Sequence, residues 1–316
     1  MKTLRRPLLL VAPSLCGITL IAACGSGTSG QSSGAAGTPD AGSRVIQVVA
    51  STNVWGSIAA KIGGEHVAVS SFISDPSQDP HSYEANTRNQ LAIRKAGLVI
   101  ENGGGYDDFM DTMLGAAANP DTKVVNAVRV SGKTAPTGGD LNEHVWYDMP
   151  TVVKVSNEIA ASLGAIDPAN AEQFQKNAAD FARSLAPITD TLAMIKSKHA
   201  GAPVAITEPV PGYLLAAAGL TNKTPEPFSK AVEEGNDIAP AVLQQTVKLF
   251  SEHQVKALVY NEQTTGATTE AVKKAATAAQ VPVVPVTETL PAGKTFEQWM
   301  KANADAIGAA LDQGAS

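Results

Sequence analysis

Two cysteines, five histidines and an aromatic content of 5% are a thin supply of the side chains that most often carry binding chemistry in a chain of 316 residues. Charge runs and short-period repeats are also missing, which removes charged tails and solenoids from consideration. No HExxH, nucleophile elbow or phosphate-binding loop occurs. NGGGYDD (102–108) is rich in glycine but lacks the spacing of a dinucleotide or P-loop fingerprint, and reads as a strand-to-helix turn. The expectation is therefore not an enzyme. A formal charge of −6 argues against a nucleic-acid partner.

The N-terminal residues read as an export signal. MKTLRR is basic, and an apolar run follows from Pro7 to Ala23, too short for a convincing membrane span. It ends in IAAC, which resembles the lipobox of bacterial lipoproteins. Residues 1–23 are then a lipoprotein signal peptide and Cys24 the lipidated residue. Residues 24–43 are nearly all Gly, Ser, Ala and Thr, a flexible tether that cannot bury a core. Cys16 leaves with the signal and Cys24 is acylated, so no cysteine is left for a disulfide or a thiolate metal site. Loss of Lys2, Arg5 and Arg6 with the signal takes the formal charge from −6 to −9. The expected location is the extracellular or periplasmic face of a cell membrane.

The body alternates strands and helices. RVIQVVAST, HVAVSSFI, GLVIENGGG and TKVVNAV read as strands of a first lobe, and APVAITE, VKALVYNE and VPVVPVTET as strands of a second. Such alternation predicts parallel sheets. The fold class is α/β: two lobes, residues 44–166 and 200–316, joined by one long helix over residues 167–199. In that helix Phe174, Ala178, Phe181, Leu185, Ile188, Leu192 and Ile195 recur at spacings of three and four. About thirty helical residues span roughly 45 Å, more than one lobe needs. Pro187 is placed to kink it. His199 reads as a capping or solvated residue.

In open α/β sheets, ligands bind beyond the carboxyl ends of the strands. Four metal-capable residues stand in such places. His81 lies in the QDPHSYE loop after a strand, Glu208 ends APVAITE, Glu288 ends VPVVPVTET, and His144 precedes VWYDMP. Two come from each half, so a cleft between the lobes would gather all four. Glu262, in LVYNEQTTG, also follows a strand and competes with Glu288. Glu84 and Asp148 are the nearest candidates to orient the imidazoles.

DPHSYE, EHVWYD, the long central helix and VTETLP resemble the metal-binding solute-binding lipoproteins of ABC transporters that take up zinc and manganese. That family carries DPH-x-[YF]-E and, later, [DE]-x-H-x-W-x-D. The resemblance covers Val45 to Leu311. It implies that His81 is the first ligand, His144 the second and Glu208 the third. Glu288 stands where the family usually has an aspartate, one methylene longer. The cargo it implies is divalent manganese, iron or zinc. The partners it implies are a permease and an ATPase, with the chain itself a monomer on its Cys24 anchor. A third ligand that is Glu208 and not histidine, and a histidine-free SGKTAPTGGDLNE loop, favour manganese or iron over zinc. Other readings are an organic-ligand binding lipoprotein, a metal-dependent adhesin and, less well supported, a metallohydrolase.

Overall fold

The computed structural model describes residues 45–75, 83–84, 86–117 and 119–313. The first half builds β1 (Ile46–Thr52), α1 (Asn53–Gly63), β2 (Val67–Ile73), α2 (Thr87–Lys95), β3 (Leu98–Glu101), α3 (Asp108–Ala117), β4 (Lys123–Asn126), α4 (Ala127–Ser131) and α5 (Met149–Ile166). Then come α6 (Ala171–Ser184) and α7 (Ala186–His199). The second half holds β5 (Pro203–Ile206), α8 (Gly212–Ala217), β6 (Thr221–Asn222), α9 (Glu226–Glu233), α10 (Pro240–Ser251), β7 (Leu258–Asn261), α11 (Ala267–Ala278), β8 (Val283–Val286) and α12 (Phe296–Gln313).

Each half contains a four-stranded parallel sheet, ordered β2-β1-β3-β4 in one and β6-β5-β7-β8 in the other. The two orders are the same in local numbering. In each, the chain leaves the first strand to one side and returns to the other, so each sheet has a switch point beyond the carboxyl ends of its first and third strands. The β-branched run of β1 is buried almost throughout, as a strand covered on both faces must be.

The expected linking helix is present as α6 and α7, broken at Leu185. Pro187 has no N–H for the preceding turn, which explains the break. Phe174, Ala178 and Phe181 of α6 and Ile188, Leu192 and Ile195 of α7 are buried, as their spacing requires. They join one continuous core with Trp55 and Ile58 of α1, Ile159 of α5, Val204 of β5 and Trp299 and Ile307 of α12. Burying each large side chain contributes about 2 kcal/mol. The shared core ties the two sheets to the same helical backbone. His199 at the end of α7 pairs with Asp312 of α12 at 2.9 Å. Helix α9, for which the sequence reading assigned nothing, lies between β6 and α10.

Candidate metal centre

Glu208 and Glu288 emerge just past the carboxyl ends of β5 and β8, and both are buried. The loop that carries Glu288 is held from several sides. The Gln263 side-chain oxygen accepts from the backbone N–H groups of Glu288 and Thr289 at 2.6 and 2.9 Å. The Tyr147 hydroxyl donates to the Thr287 carbonyl at 2.7 Å. Asn53, which opens α1, donates to the Leu290 carbonyl at 2.8 Å and accepts from the Leu290 N–H at 2.9 Å. Residues of the first half thus fix a loop of the second.

His144 is fully buried at the start of a 3₁₀ turn, its ring edge-on to Tyr106 and Trp146. Asn142 sets its tautomer. The Asn142 amide nitrogen donates to the Pro209 carbonyl at 2.9 Å, so its oxygen faces the other way. That oxygen accepts from the backbone N–H of His144 at 3.0 Å and lies 2.9 Å from the ring Nδ1. An oxygen turned to Nδ1 requires the proton there, which leaves the Nε2 lone pair able to ligate a metal. Nε2 is 3.9 Å from Oε2 of Glu288. One ion bound at about 2.1 Å to each atom spans such a separation.

The two carboxylates meet on Asn261, the buried last residue of β7. Its amide nitrogen donates to Glu208 Oε2 and, at 2.8 Å, to Glu288 Oε1. The Tyr106 hydroxyl donates to Glu288 Oε2 at 3.1 Å. Tyr106 is delivered by the glycine-rich turn that the sequence singled out. Gly103 there has φ of 74°, and a Cβ on it would collide with the Asn126 side chain, so only glycine fits. Asp107 closes the turn by accepting from the N–H groups of Asn102 and Gly103. Asn102 reaches the carbonyl of Glu143, next to His144.

Two further carboxylates crowd the imidazole. Glu143, His144 and Glu233 present ligand atoms all within 4.8 Å of one another, and Glu233 Oε1 is 3.7 Å from Nδ1. Burial pushes the Glu233 carboxyl up to about 9, with the charges of Glu143, Glu208, Glu288 and Glu234 adding to the rise. Burial likewise lifts Glu143 to about 7, helped by Asp140. So many carboxylates around one ring oppose full ionisation, and a bound divalent cation would relieve that opposition.

His144, Glu208 and Glu288 are therefore brought together from the two halves. His81 and Cys24 lie outside the described residues. Glu262 is exposed: β7 ends at Asn261, and Glu262 stands in the bend beyond it. Glu84 is exposed as well. Asp148 does not orient His144. It caps α5 through the Thr151 N–H and hydroxyl and pairs with Lys133 at 3.1 Å, because an aspartate before a helix beginning Met-Pro-Thr serves the helix's own free N–H groups. Asn142 has the orienting role. Sequence reading passed over it, yet the quoted motif calls for an acid at that position, and the departure was the available signal. Asn261, Tyr106 and Glu233 gave no comparable signal, since only the folded chain places them here.

The same constellation can be set against known proteins. The family of zinc-uptake complex component A, periplasmic (ZnuA), matches residues 48–310. The chain belongs to the ZnuA family. Among curated relatives, the manganese-binding lipoprotein MntA of Bacillus subtilis (strain 168) is 27% identical over 179 residues, 56% of this chain and 55% of that protein. The iron-binding protein YfeA of Yersinia pestis is 25% identical over 167 residues, 51% of this chain and 53% of that protein. The chain spans about half the length of the curated relatives it matches. Among solved structures, the SBP FpvC of Pseudomonas aeruginosa in complex with Ni2+ superposes with a TM-score of 0.70 at 21% identity, covering 85% of this chain and 97% of that one. At that identity the likeness concerns the fold, and this ZnuA-family chain shares it along nearly its whole body.

Proposed function

We propose that this chain is the extracytoplasmic solute-binding component of an ABC importer, and that its cargo is a divalent transition metal. His144 through Nε2, Glu208 and Glu288 hold the ion, and His81 completes the set. The observation that carries the reading is the buried approach of His144 Nε2 in one half to Glu288 Oε2 in the other, at 3.9 Å. The tautomer imposed by Asn142 supports it, because a metal needs the lone pair that this tautomer exposes. The role is carriage and not catalysis: four protein ligands close the shell and leave no position for activated water. Two carboxylates beside two imidazoles favour manganese or iron, although intrinsic affinity orders zinc above manganese. The manganese and iron for which these relatives are named fit that preference. Cys24 carries the lipid anchor, the chain works as a monomer, and a permease and an ATPase receive the ion. The core shared by both halves keeps closure small.

Thermal unfolding of chelator-stripped protein, titrated in parallel with manganese, iron(II) and zinc, tests the proposal. A ligand that binds only the folded state adds about 2.7 kcal/mol at one hundred times its dissociation constant. The expected result is a large rise with at least one ion, lost in His144→Ala and in Glu288→Ala. No rise with any of the three ions would overturn the reading.

A further inference from the structure

Asn261 stands between the two carboxylates, and the ligand set described above does not use it. We infer that Asn261 is a specificity-determining positioning residue: its amide, bridging Glu208 and Glu288, holds each carboxylate to single-oxygen binding and so limits which ion the site prefers. The inference rests on the reading that Glu208 and Glu288 hold the ion.

The argument is one of donors and directions. An amide nitrogen has two hydrogens. Here they are directed to Glu208 Oε2 and Glu288 Oε1, with Thr264 Oγ1 further off at 3.2 Å. The amide cannot turn away at low cost, because its oxygen accepts from the Gln263 N–H at 3.2 Å and the residue is buried at the end of a paired strand. Its own N–H is held by the Thr207 hydroxyl at 2.9 Å, one residue before Glu208. Asn261 is therefore fixed to both ligand-bearing strands at once.

Each carboxylate oxygen has two lone pairs, so a fixed N–H does not bar a metal from that oxygen, but it weakens the oxygen as a donor and restrains the carboxylate from turning both oxygens to one ion. Glu208 has such an N–H on Oε2. Glu288 has one on Oε1 and the Tyr106 hydroxyl on Oε2. Single-oxygen binding keeps the coordination number low, which zinc accepts. Bidentate carboxylates raise it and suit manganese. The carboxylate-rich donor set leans towards manganese, and the Asn261 bridge limits how far. A neutral residue does this without adding another charge to a site already crowded with carboxylates.

The test compares wild type with Asn261→Ala and Asn261→Leu, full-length and chelator-stripped. Leucine keeps the γ-branched shape and, like alanine, removes the donors. Dissociation constants for manganese and zinc are measured by chelator competition, and the number of manganese ligands by X-ray absorption. Both variants are expected to shift the zinc-to-manganese preference towards manganese by about tenfold or more, the usual scale for a residue behind a metal ligand. The manganese shell should gain oxygen in both. An unchanged preference in both variants, or a shift in only one of them, would overturn the inference while leaving the metal reading intact. Should neither variant fold, manganese-loaded wild type decides: single-oxygen carboxylates are expected, and a bidentate pair would overturn the inference. Failure of wild type to bind either ion would overturn the inference, and failure to bind iron(II) as well would overturn the metal reading.

Discussion

Asn142 accepts from the His144 ring at Nδ1, 2.9 Å away, while its own amide is held by the carbonyl of Pro209 in the other half of the molecule. One side chain thus joins the imidazole of one half to the residue after Glu208 in the other. The Tyr213 hydroxyl secures the same point by donating to the Asn142 carbonyl at 2.6 Å. Asn142→Ala frees the ring to rotate and to change tautomer. Metal affinity is expected to fall about 10–100-fold, with the fold retained. Isothermal titration reads the affinity, and nitrogen chemical shifts of His144 in the stripped protein read the tautomer.

Tyr106→Phe removes only the hydroxyl that donates to Glu288 Oε2. Its ring stays packed on Trp146 and His144. The expected outcome is a loss of metal affinity of about tenfold or more. The thermal midpoint of the stripped form should move little, because the loss of one hydrogen bond costs about 1 kcal/mol. A fall in both quantities together would assign Tyr106 to packing.

Asn53→Ala leaves the N–H and C=O of Leu290 without the pair of bonds that now bind them. A cost of about 1–3 kcal/mol is expected. Hydrogen exchange locates it: the amide of Leu290 should lose protection, and with it the loop that carries Glu288.

Glu101 gives a pH dependence that is separate from the metal ligands. It is buried at the end of β3, and burial is the main cause that lifts its carboxyl to about 6. Asp111 of α3 and Asp107 of the glycine turn push in the same direction, while the Asn126 amide and Arg129 of α4 oppose them. A folded value above the unfolded one favours the protonated group. That stability is complete below the unfolded value of 4.5 and is lost as pH rises through about 6. Ionised Glu101 therefore costs about 2 kcal/mol above that range. Glu101→Gln keeps an oxygen for Asn126 and removes the charge. Denaturant unfolding should find the variant more stable than wild type by about that amount near pH 7.5, with the difference vanishing near pH 4.5.

Much of this organisation was legible in the sequence. The β-branched run of β1 and the three-and-four spacing from Phe174 to Ile195 each follow from local chemistry and from one buried face, and both appear as expected. Glu208 and Glu288 were singled out because residues after parallel strands share one end of a sheet, and His144 because its motif resembles that of the family. The surroundings of Asp148 and Glu262 were not legible in the same way. Asp148 satisfies the helix it precedes, and Glu262 stands exposed in the bend just beyond β7.

The sequence by itself determined the alternating elements and the two parallel sheets, because these depend on periodicity and on the order of strands. Only the tertiary structure decided which side chains stand behind the proposed ligands. Tyr106 and Glu288 are 182 positions apart, and Asn53 and Leu290 are 237 apart. No local pattern encodes such pairs. They exist because the two sheets close on one core, and a buried polar group takes whatever partner that closure brings within reach.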